Sequence, residues 1–222
     1  MTITTGATTR FYCQTLNAMA RRMRDEGWYQ QKLPKFLTTV PLLVAAGING
    51  GGALEIGPGP GYLGLEWLKK TKGTTLTGLD ISTDMVEIAK LNATEYNLTE
   101  RTKYLLADAS NIPFSDNQFD CVFSSASLHE WTNVRQVLNE IARVLRPGGS
   151  YYITDLRRCM SGIWKWVVWF LARPNEVRPY FIASVNKSYM LEEVKDILRG
   201  TQLRNSIVSK AWYGLKITGQ KI

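Results

Sequence analysis

The sequence predicts an α/β fold in which a seven-stranded, mostly parallel sheet ends in a C-terminal antiparallel hairpin. Three observations support this prediction. Short apolar runs alternate with amphipathic helical segments from Gly50 onward, which is typical of a parallel sheet covered by helices on both faces. The first run leads into a glycine-rich turn, and the last two are separated only by Tyr213-Gly214. The 222 residues, 45% of them hydrophobic and 21% charged, suffice for one large domain with a buried core.

Each element of the sheet domain can be assigned from its local pattern. The predicted strands are Ala53–Ile56, Thr75–Leu79, Thr102–Leu106, Phe119–Phe123, Ser150–Thr154, Ser206–Trp212 and Leu215–Gly219. The predicted helices are Tyr62–Lys70, Thr83–Tyr96, Val134–Leu145 and Tyr189–Leu198. Ser82 is placed to cap the second helix, and Pro147-Gly148 is placed to end the third.

Two regions depart from this alternation. Residues 1–49 are predicted to form a helical N-terminal arm, because apolar side chains recur at helical spacing over residues 12–47, on both sides of Pro34. Residues 50–222 are the predicted sheet domain, interrupted at 156–187 by an insertion rich in tryptophan and arginine. Its apolar run is shorter than the ~20 residues that span a bilayer. The insertion is therefore a lid, a helix at a membrane interface, or a helix packed on the sheet.

The net charge of +8 is carried by the two ends of the chain. Basic residues outnumber acidic ones 6 to 2 in residues 1–50 and 12 to 5 in residues 151–222, whereas residues 51–150 hold 9 basic and 12 acidic residues. This distribution indicates either an anionic partner for the ends or a solvated basic surface.

The cysteines and the N-terminus bear on the compartment. Cys13, Cys121 and Cys159 are odd in number and have no CxxC spacing, so free thiols and no metal site are expected. The first residues lack the apolar core and cleavage pattern of a secretory signal. A cytoplasmic location is therefore expected, with peripheral membrane association left open.

The strongest chemical signal is the segment ALEIGPGPGYLG at residues 53–64, where a predicted strand enters a glycine-rich turn before a helix. Glycine lets the backbone turn sharply and approach a ligand closely, and the following helix N-terminus favours electronegative groups. Gly59, Gly61 and Gly64 also spell GxGxxG, and Asp80 follows at the spacing of a ribose-binding carboxylate. By itself this segment suits a nicotinamide dinucleotide as well as S-adenosylmethionine.

Three further motifs favour S-adenosylmethionine. The first is ExGxGxG, formed by Glu55, Gly57, Gly59 and Gly61. The second, over residues 105–131, has an acidic residue after the third strand, an Ile-Pro-Phe turn and a Phe-Asp pair opening the fourth strand. The third, over residues 144–156, is a helix end, a Pro-Gly-Gly turn and the fifth strand. With these motifs in order, residues 50–156 resemble the type-11 class I S-adenosylmethionine-dependent methyltransferases, which include ubiquinone and menaquinone biosynthesis enzymes.

The resemblance implies a Rossmann-like fold, S-adenosyl-L-methionine as cofactor, and a defined set of contacts. The backbone of Gly57, Gly59 and Gly61 would approach the methionine and ribose portions of the cofactor. Glu55 would face the methionine ammonium directly or through water, and Asp80 would accept both ribose hydroxyls. The remaining implied contacts are Ile81 and Met85 on the adenine ring, Asp108 and Ala109 at its amino group, and Ser124 or Ser125 after the fourth strand.

His129 and Glu130 are the candidate catalytic residues. His129 is the only histidine in the chain and lies where the resembling enzymes often have Leu-His-His, with Glu130 in place of the second histidine. A base is required only if the methyl acceptor must first lose a proton. His129 is therefore either a base or acceptor contact, or a structural histidine.

The insertion bears on the acceptor. Its aromatic residues are Trp164, Trp166, Trp169 and Phe170, and its flanking cations are Arg157, Arg158, Lys165, Arg173 and Arg178. This composition predicts a small-molecule or amphiphilic, anionic acceptor, and an anionic membrane surface as a partner for residues 157–181. Two alternatives stay open: an RNA methyltransferase, disfavoured because no RNA-binding module is recognisable, and a non-catalytic S-adenosylmethionine-binding module. Nucleic acid is not an expected partner, and the sequence does not indicate an oligomeric state.

Overall fold

Alternating strands and helices form the described part of the chain, which in this computed structural model comprises residues 39–159, 162–171, 178–211 and 214–222. The strands are β1 (Gly52–Ile56), β2 (Thr75–Asp80), β3 (Thr102–Leu106), β4 (Phe119–Ser125), β5 (Leu145–Leu156), β6 (Ile207–Lys210) and β7 (Gly214–Gln220). The helices are α1 (Tyr62–Lys70), α2 (Thr83–Glu95), α3 (Val134–Val144), α4 (Gly162–Leu171), α5 (Arg178–Lys187) and α6 (Leu191–Arg199). Residues 39–45 are also helical.

All seven strands form one sheet in the order β3-β2-β1-β4-β5-β7-β6. The pairs among β1 to β5 are parallel, whereas β7 runs antiparallel to both β5 and β6. The sheet is thus mostly parallel with an antiparallel C-terminal hairpin, which confirms the predicted fold class. The strand order reverses between β1 and β4, and ligands of open α/β sheets bind at such a switch point, beyond the carboxyl ends of the strands.

Two apolar layers cover the sheet. On one face, Leu54 and Ile56 of β1 pack with the buried sides of α3 and α6. On the other face, Ala53 packs with α1, α2 and the helical residues 39–45. The side chains of β1 alternate between these layers because successive residues of a strand point to opposite faces. Both faces of the central strands are therefore closed, and the open positions are at the strand ends.

The predicted element boundaries differ from the structure mainly at β5. This strand begins at Leu145 rather than Ser150, because Leu145 pairs with Phe119 across a register shift. The segment Pro147-Gly148 therefore lies within the strand, and α3 has already ended at Val144. Of the predicted N-terminal arm, residues 39–45 are helical, residues 46–49 are not helical, and residues 1–38 lie outside the described residues.

The insertion contributes α4 and α5, which pack against each other. Its two ends are joined where it leaves the sheet domain. The Arg158 N–H donates to the Tyr189 carbonyl at 3.4 Å, and the Arg158 guanidinium contacts the Glu193 carboxylate of α6. Residues 160–161 and 172–177 of the insertion lie outside the described residues.

Candidate functional site

The loop after β1 has the backbone conformation that the glycine-rich motif predicts. Gly57, Gly59 and Gly61 have φ angles of +65°, +52° and +83°, in the left-handed region that side chains disfavour. A Cβ added to Gly57 would lie 2.6 Å from the Cβ of Ser127, whereas a Cβ added to Gly59 would have no described atom within 4 Å. The position of a Gly59 side chain is therefore open space, into which a ligand can come close to the backbone.

Asp80 lies at the end of β2 and is fixed by the loops on either side of it. Its Oδ2 accepts the Gly59 N–H at 3.0 Å, and its Oδ1 accepts the Ser82 N–H at 2.9 Å. Burial raises the pKa of Asp80, and the N–H groups of Ser82, Gly59 and Ile81 oppose that shift. A carboxylate has about four acceptor positions, so this one keeps acceptor capacity beyond its backbone partners, as ribose hydroxyls would require.

Apolar side chains are exposed beside Asp80. Ile81 and Leu106 are both exposed at the ends of the neighbouring strands β2 and β3. Asp108 follows β3, and its Oδ1 accepts the Ser110 N–H at 2.8 Å, which orients the carboxylate locally. Ala109 lies beside it, half-buried, and Met85 is half-buried in the first turn of α2. Ile81 and Leu106 thus present exposed apolar side chains next to Asp80, and Asp108 supplies a carboxylate acceptor after β3.

Glu55 points to the sheet face that α1 covers. A Cβ added to Gly64 would lie 2.3 Å from its Oε2, and this oxygen has no hydrogen-bond partner among the described residues. Burial, together with the charge of Asp80, raises the pKa of Glu55 to about 8. The side chain therefore lies against α1, and its raised pKa favours the neutral carboxyl over the carboxylate.

Ser124 and Ser125 differ in environment. The Ser124 hydroxyl is buried, donates to the Ile56 carbonyl at 2.8 Å and lies 2.7 Å from the Ser127 hydroxyl. Ser125 is half-buried. Ser124 thus joins β1 to the segment after β4. Together with the contact between Gly57 and Ser127, it brings the glycine loop against the turn that contains His129.

His129 is held by Asp155, which lies near the end of β5. The His129 backbone N–H donates to Asp155 Oδ2 at 2.7 Å, and the ring Nδ1 lies 2.8 Å from Oδ1 and 2.9 Å from Oδ2. Both side chains are almost fully buried. Burial lowers the pKa of His129, but the hydrogen bond and charge of Asp155, with the charge of Glu130, outweigh it and raise the pKa above 6.5. A proton on Nδ1 would leave Nε2 as the basic nitrogen.

Glu130 connects this turn to the insertion. Its Oε1 lies 3.4 Å from His129 Nε2, and its Oε2 lies 3.0 Å from the Nζ of Lys187, the last residue of α5. The pair between Glu130 and Lys187 is partly exposed, so it contributes little to stability. Its position means that the end of α5 contacts the carboxylate beside the imidazole.

Two residues of this arrangement were not singled out from the sequence. Ser127 bridges the glycine loop and the segment after β4, and also accepts the indole N–H of Trp131 at 3.1 Å. Asp155 orients His129. Asp155 has the same sequence signal as Asp80, which is a carboxylate near the carboxyl end of a predicted buried strand. Ser127 carries no comparable signal.

The described residues fit S-adenosylmethionine in three respects. The glycine loop leaves space at Gly59, Asp80 has free acceptor capacity, and an exposed apolar surface lies beside it. The individual contacts predicted for Glu55, Gly57, Gly59, Gly61, Asp80, Ile81, Met85, Asp108, Ala109, Ser124 and Ser125 stay predictions. So do the catalytic roles of His129 and Glu130.

Comparison with known proteins agrees with this site. Residues 54–153 match the family model described as a methyltransferase domain. The chain is 27% identical over 183 residues to a demethylmenaquinone methyltransferase of Porphyromonas gingivalis, covering 73% of this chain and 75% of that protein. It is 35% identical over 113 residues to a fatty-acid O-methyltransferase of Mycolicibacterium smegmatis, covering 50% of this chain and 39% of that protein.

The fold likeness extends over the whole chain. The chain superposes on the crystal structure of a putative S-adenosyl-L-methionine-dependent methyltransferase from Methanococcus maripaludis with a TM-score of 0.71 and 23% identity. The match covers 100% of this chain and 97% of that chain. The chain spans less than two thirds of the length of several curated relatives, 39% in the case of the fatty-acid enzyme. The matched domain at residues 54–153, the relatives and the shared fold together support a class I S-adenosylmethionine-dependent methyltransferase of the type-11 group.

Proposed function

We propose that this chain transfers a methyl group from S-adenosylmethionine to a small amphiphilic acceptor whose attacked atom first loses a proton. One observation carries the proposal. His129, which pairs with the buried Asp155 of β5, lies in the turn that contacts the glycine loop through Ser127 and Gly57. A base so close to the cofactor loop suits an acceptor that must be activated before it attacks.

The residues have distinct roles in this proposal. When bound, S-adenosylmethionine supplies an electrophilic methyl group on a sulfonium. Asp80, the glycine loop and the apolar surface at Ile81 hold it. His129 Nε2 takes the acceptor's proton, and Asp155 is a positioning residue that keeps the other ring proton on Nδ1. Glu130 stabilises the imidazolium that forms, because its carboxylate lies 3.4 Å from Nε2.

The relatives support an amphiphilic acceptor. One is named for demethylmenaquinone and another for fatty acids. The aromatic, basic insertion ends at Lys187, beside Glu130, so it suits an acceptor with an apolar body and an anionic group. We propose a cytoplasmic site of action. Nucleic acid is not a proposed acceptor.

Product analysis tests the proposal. The purified chain is incubated with S-adenosylmethionine and, in separate reactions, with quinol, phenol, fatty-acid and RNA acceptors, and S-adenosylhomocysteine is measured by mass spectrometry. We expect acceptor-dependent S-adenosylhomocysteine from the wild type and very little from Asp80→Ala. Cofactor binding without product from any acceptor would instead favour the non-catalytic binding module. Product from RNA alone would favour the RNA methyltransferase.

A further inference from the structure

An exposed apolar face extends over the insertion. It consists of Ile163, Trp166, Trp169 and Phe170 of α4 and Ile182 of α5, and we name it the aromatic face. Ile163, Trp166 and Phe170 recur at helical spacing and are 77%, 62% and 50% exposed. The rings of Trp166 and Phe170 stack with centroids 5.5 Å apart. Large apolar side chains so exposed on one side of a helix indicate an interaction surface.

Positive charge borders the aromatic face. The Arg178 guanidinium lies 4.2 Å from the centre of the Trp169 ring, and its Nε donates to the Trp169 carbonyl at 3.1 Å. Over residues 157–187 the sequence has six basic residues and one acidic residue, and two of the six, Arg158 and Lys187, pair with Glu193 and Glu130 outside that range. Tryptophan beside arginine is the combination that suits the boundary between lipid acyl chains and anionic headgroups.

We propose that the aromatic face docks onto the interfacial region of an anionic lipid bilayer. Trp166, Trp169 and Phe170 enter the boundary of the acyl chains, and Arg178 lies against headgroup phosphates. This is surface binding, since among the described residues no helix is both long and apolar enough to cross a bilayer.

Charge favours a bilayer over two other occupants of this face. A twofold contact with a second copy would bring the same basic margin against itself. Residues 1–38 hold six basic and two acidic residues, so they too would add positive charge to positive charge. An anionic bilayer complements the face in both charge and apolarity.

Docking would also orient the candidate site. The helix that carries Arg178 ends at Lys187, which pairs with Glu130 next to His129. If methyl transfer proceeds as proposed above, an amphiphilic acceptor could reach this turn from the bilayer without crossing bulk water. This last step rests on the proposed function, whereas the docking itself does not.

Vesicle binding of the whole chain, without cofactor or acceptor, tests the docking. Co-sedimentation is compared for phosphatidylcholine vesicles and for vesicles that also contain phosphatidylglycerol, at low and high salt. We expect binding to the anionic vesicles only, weakening with salt, with a blue shift of tryptophan emission. The double variant Trp166→Ala/Phe170→Ala should bind at least about tenfold more weakly.

A matched variant controls for the loss of exposed apolar area. Leu91 and Ile207 are 49% and 66% exposed on α2 and β6, so Leu91→Ala/Ile207→Ala should bind vesicles as the wild type does. Both double variants should keep the wild-type Tm, because the replaced side chains are exposed. Wild-type protein that ignores anionic vesicles at low salt overturns the proposal. An equal loss of vesicle binding in Leu91→Ala/Ile207→Ala also overturns it. So does a wild-type dimer in gel filtration that Trp166→Ala/Phe170→Ala abolishes, if that variant still binds vesicles. These readouts need no turnover, so their failure is separable from failure of the proposed reaction.

Discussion

Asp155 accepts the backbone N–H of His129 and also contacts its ring Nδ1, so a single carboxylate fixes both the turn and the imidazole. The double contact allows two functions, because the pair could hold the turn in place or orient a base. A substitution that keeps a donor to Asp155 in place of Nδ1 but removes Nε2 distinguishes these functions.

We predict that His129→Asn lowers kcat by about 10²- to 10⁴-fold, the usual contribution of a general base. The Asn side-chain amide can still donate to Asp155 but has no Nε2, so stability and cofactor affinity should change little. Single-turnover rates, thermal unfolding and calorimetric titration measure the three quantities. A variant that keeps wild-type kcat would contradict the role of His129 as base.

The pH dependence of the rate should follow the pKa of His129. Since that pKa is raised above 6.5 and the base must be neutral, kcat should rise with pH through a value above 6.5. Removing the carboxylate charge in Asp155→Asn leaves burial as the dominant influence, so the acidic limb should move to lower pH while the rate falls. An unshifted limb in Asp155→Asn would show that another group controls it.

Cofactor affinity should depend on Asp80 and not on a comparable carboxylate elsewhere. Asp80→Ala removes two charged hydrogen bonds to ribose, a loss of about 2 to 3 kcal/mol, or roughly 30- to 150-fold in Kd. Asp120 is the control, because it accepts the Gly52 N–H at 2.7 Å at the opposite end of the sheet. Calorimetry should show unchanged affinity for Asp120→Ala, and neither the wild type nor either variant should bind NAD. Equal losses at both positions would remove the ribose assignment.

Gly59→Ala should weaken cofactor binding more than it destabilises the fold. Its φ of +52° and open surroundings predict a cost of about 1 kcal/mol in the free protein, while the new methyl group occupies the space of the ligand. Gly73, with a φ of +65° and equally open surroundings between α1 and β2, is the matched control. Gly73→Ala should show a similar loss in unfolding free energy and no change in Kd. If the two variants bind the cofactor equally well, the space at Gly59 is not part of its site.

Glu55→Gln should stabilise the free protein increasingly as pH rises from 5 to 8. The folded pKa of about 8 exceeds the ordinary value of 4.5, so Glu55 costs nothing below 4.5 and destabilises the fold progressively up to about pH 8. This shift corresponds to a gain on the order of 4 kcal/mol at pH 8, measured by urea unfolding, and to little gain at pH 5. Glu140, whose pKa is lowered chiefly by its hydrogen bond from Arg143, titrates below this range. Glu140→Gln should therefore change stability equally at both pH values, and the same behaviour in Glu55→Gln would contradict the raised pKa.

Local patterns carried most of the fold prediction. The strands leading to Glu55 and Asp80 follow from short apolar runs next to turn residues, and their parallel order follows from the helices between them. The early start of β5 could not be predicted, because Leu145 becomes a strand residue only by pairing with Phe119 across the sheet. A pattern read along the chain does not report such a pairing.

The candidate site, too, was predictable where it depends on a local motif and not where it depends on contacts between strands. The glycine loop and Asp80 occupy a motif with fixed spacing, so the sequence indicates them directly. Asp155 meets His129 only because β4 and β5 are adjacent and in register, with Ser125 opposite Thr154. Strand alternation places Glu55 on the same face of the sheet as Ala53. The sequence does not show that a helix covers this face, because that depends on how α1 packs.

The joined ends of the insertion have a consequence for how this protein can diversify. Arg158 contacts both Tyr189 and Glu193, so the two ends of the segment between residues 158 and 189 are held next to each other. Doubling the length of such a loop costs only about 0.6 kcal/mol in chain entropy. A longer or shorter segment at this position should therefore change the stability of the sheet domain very little.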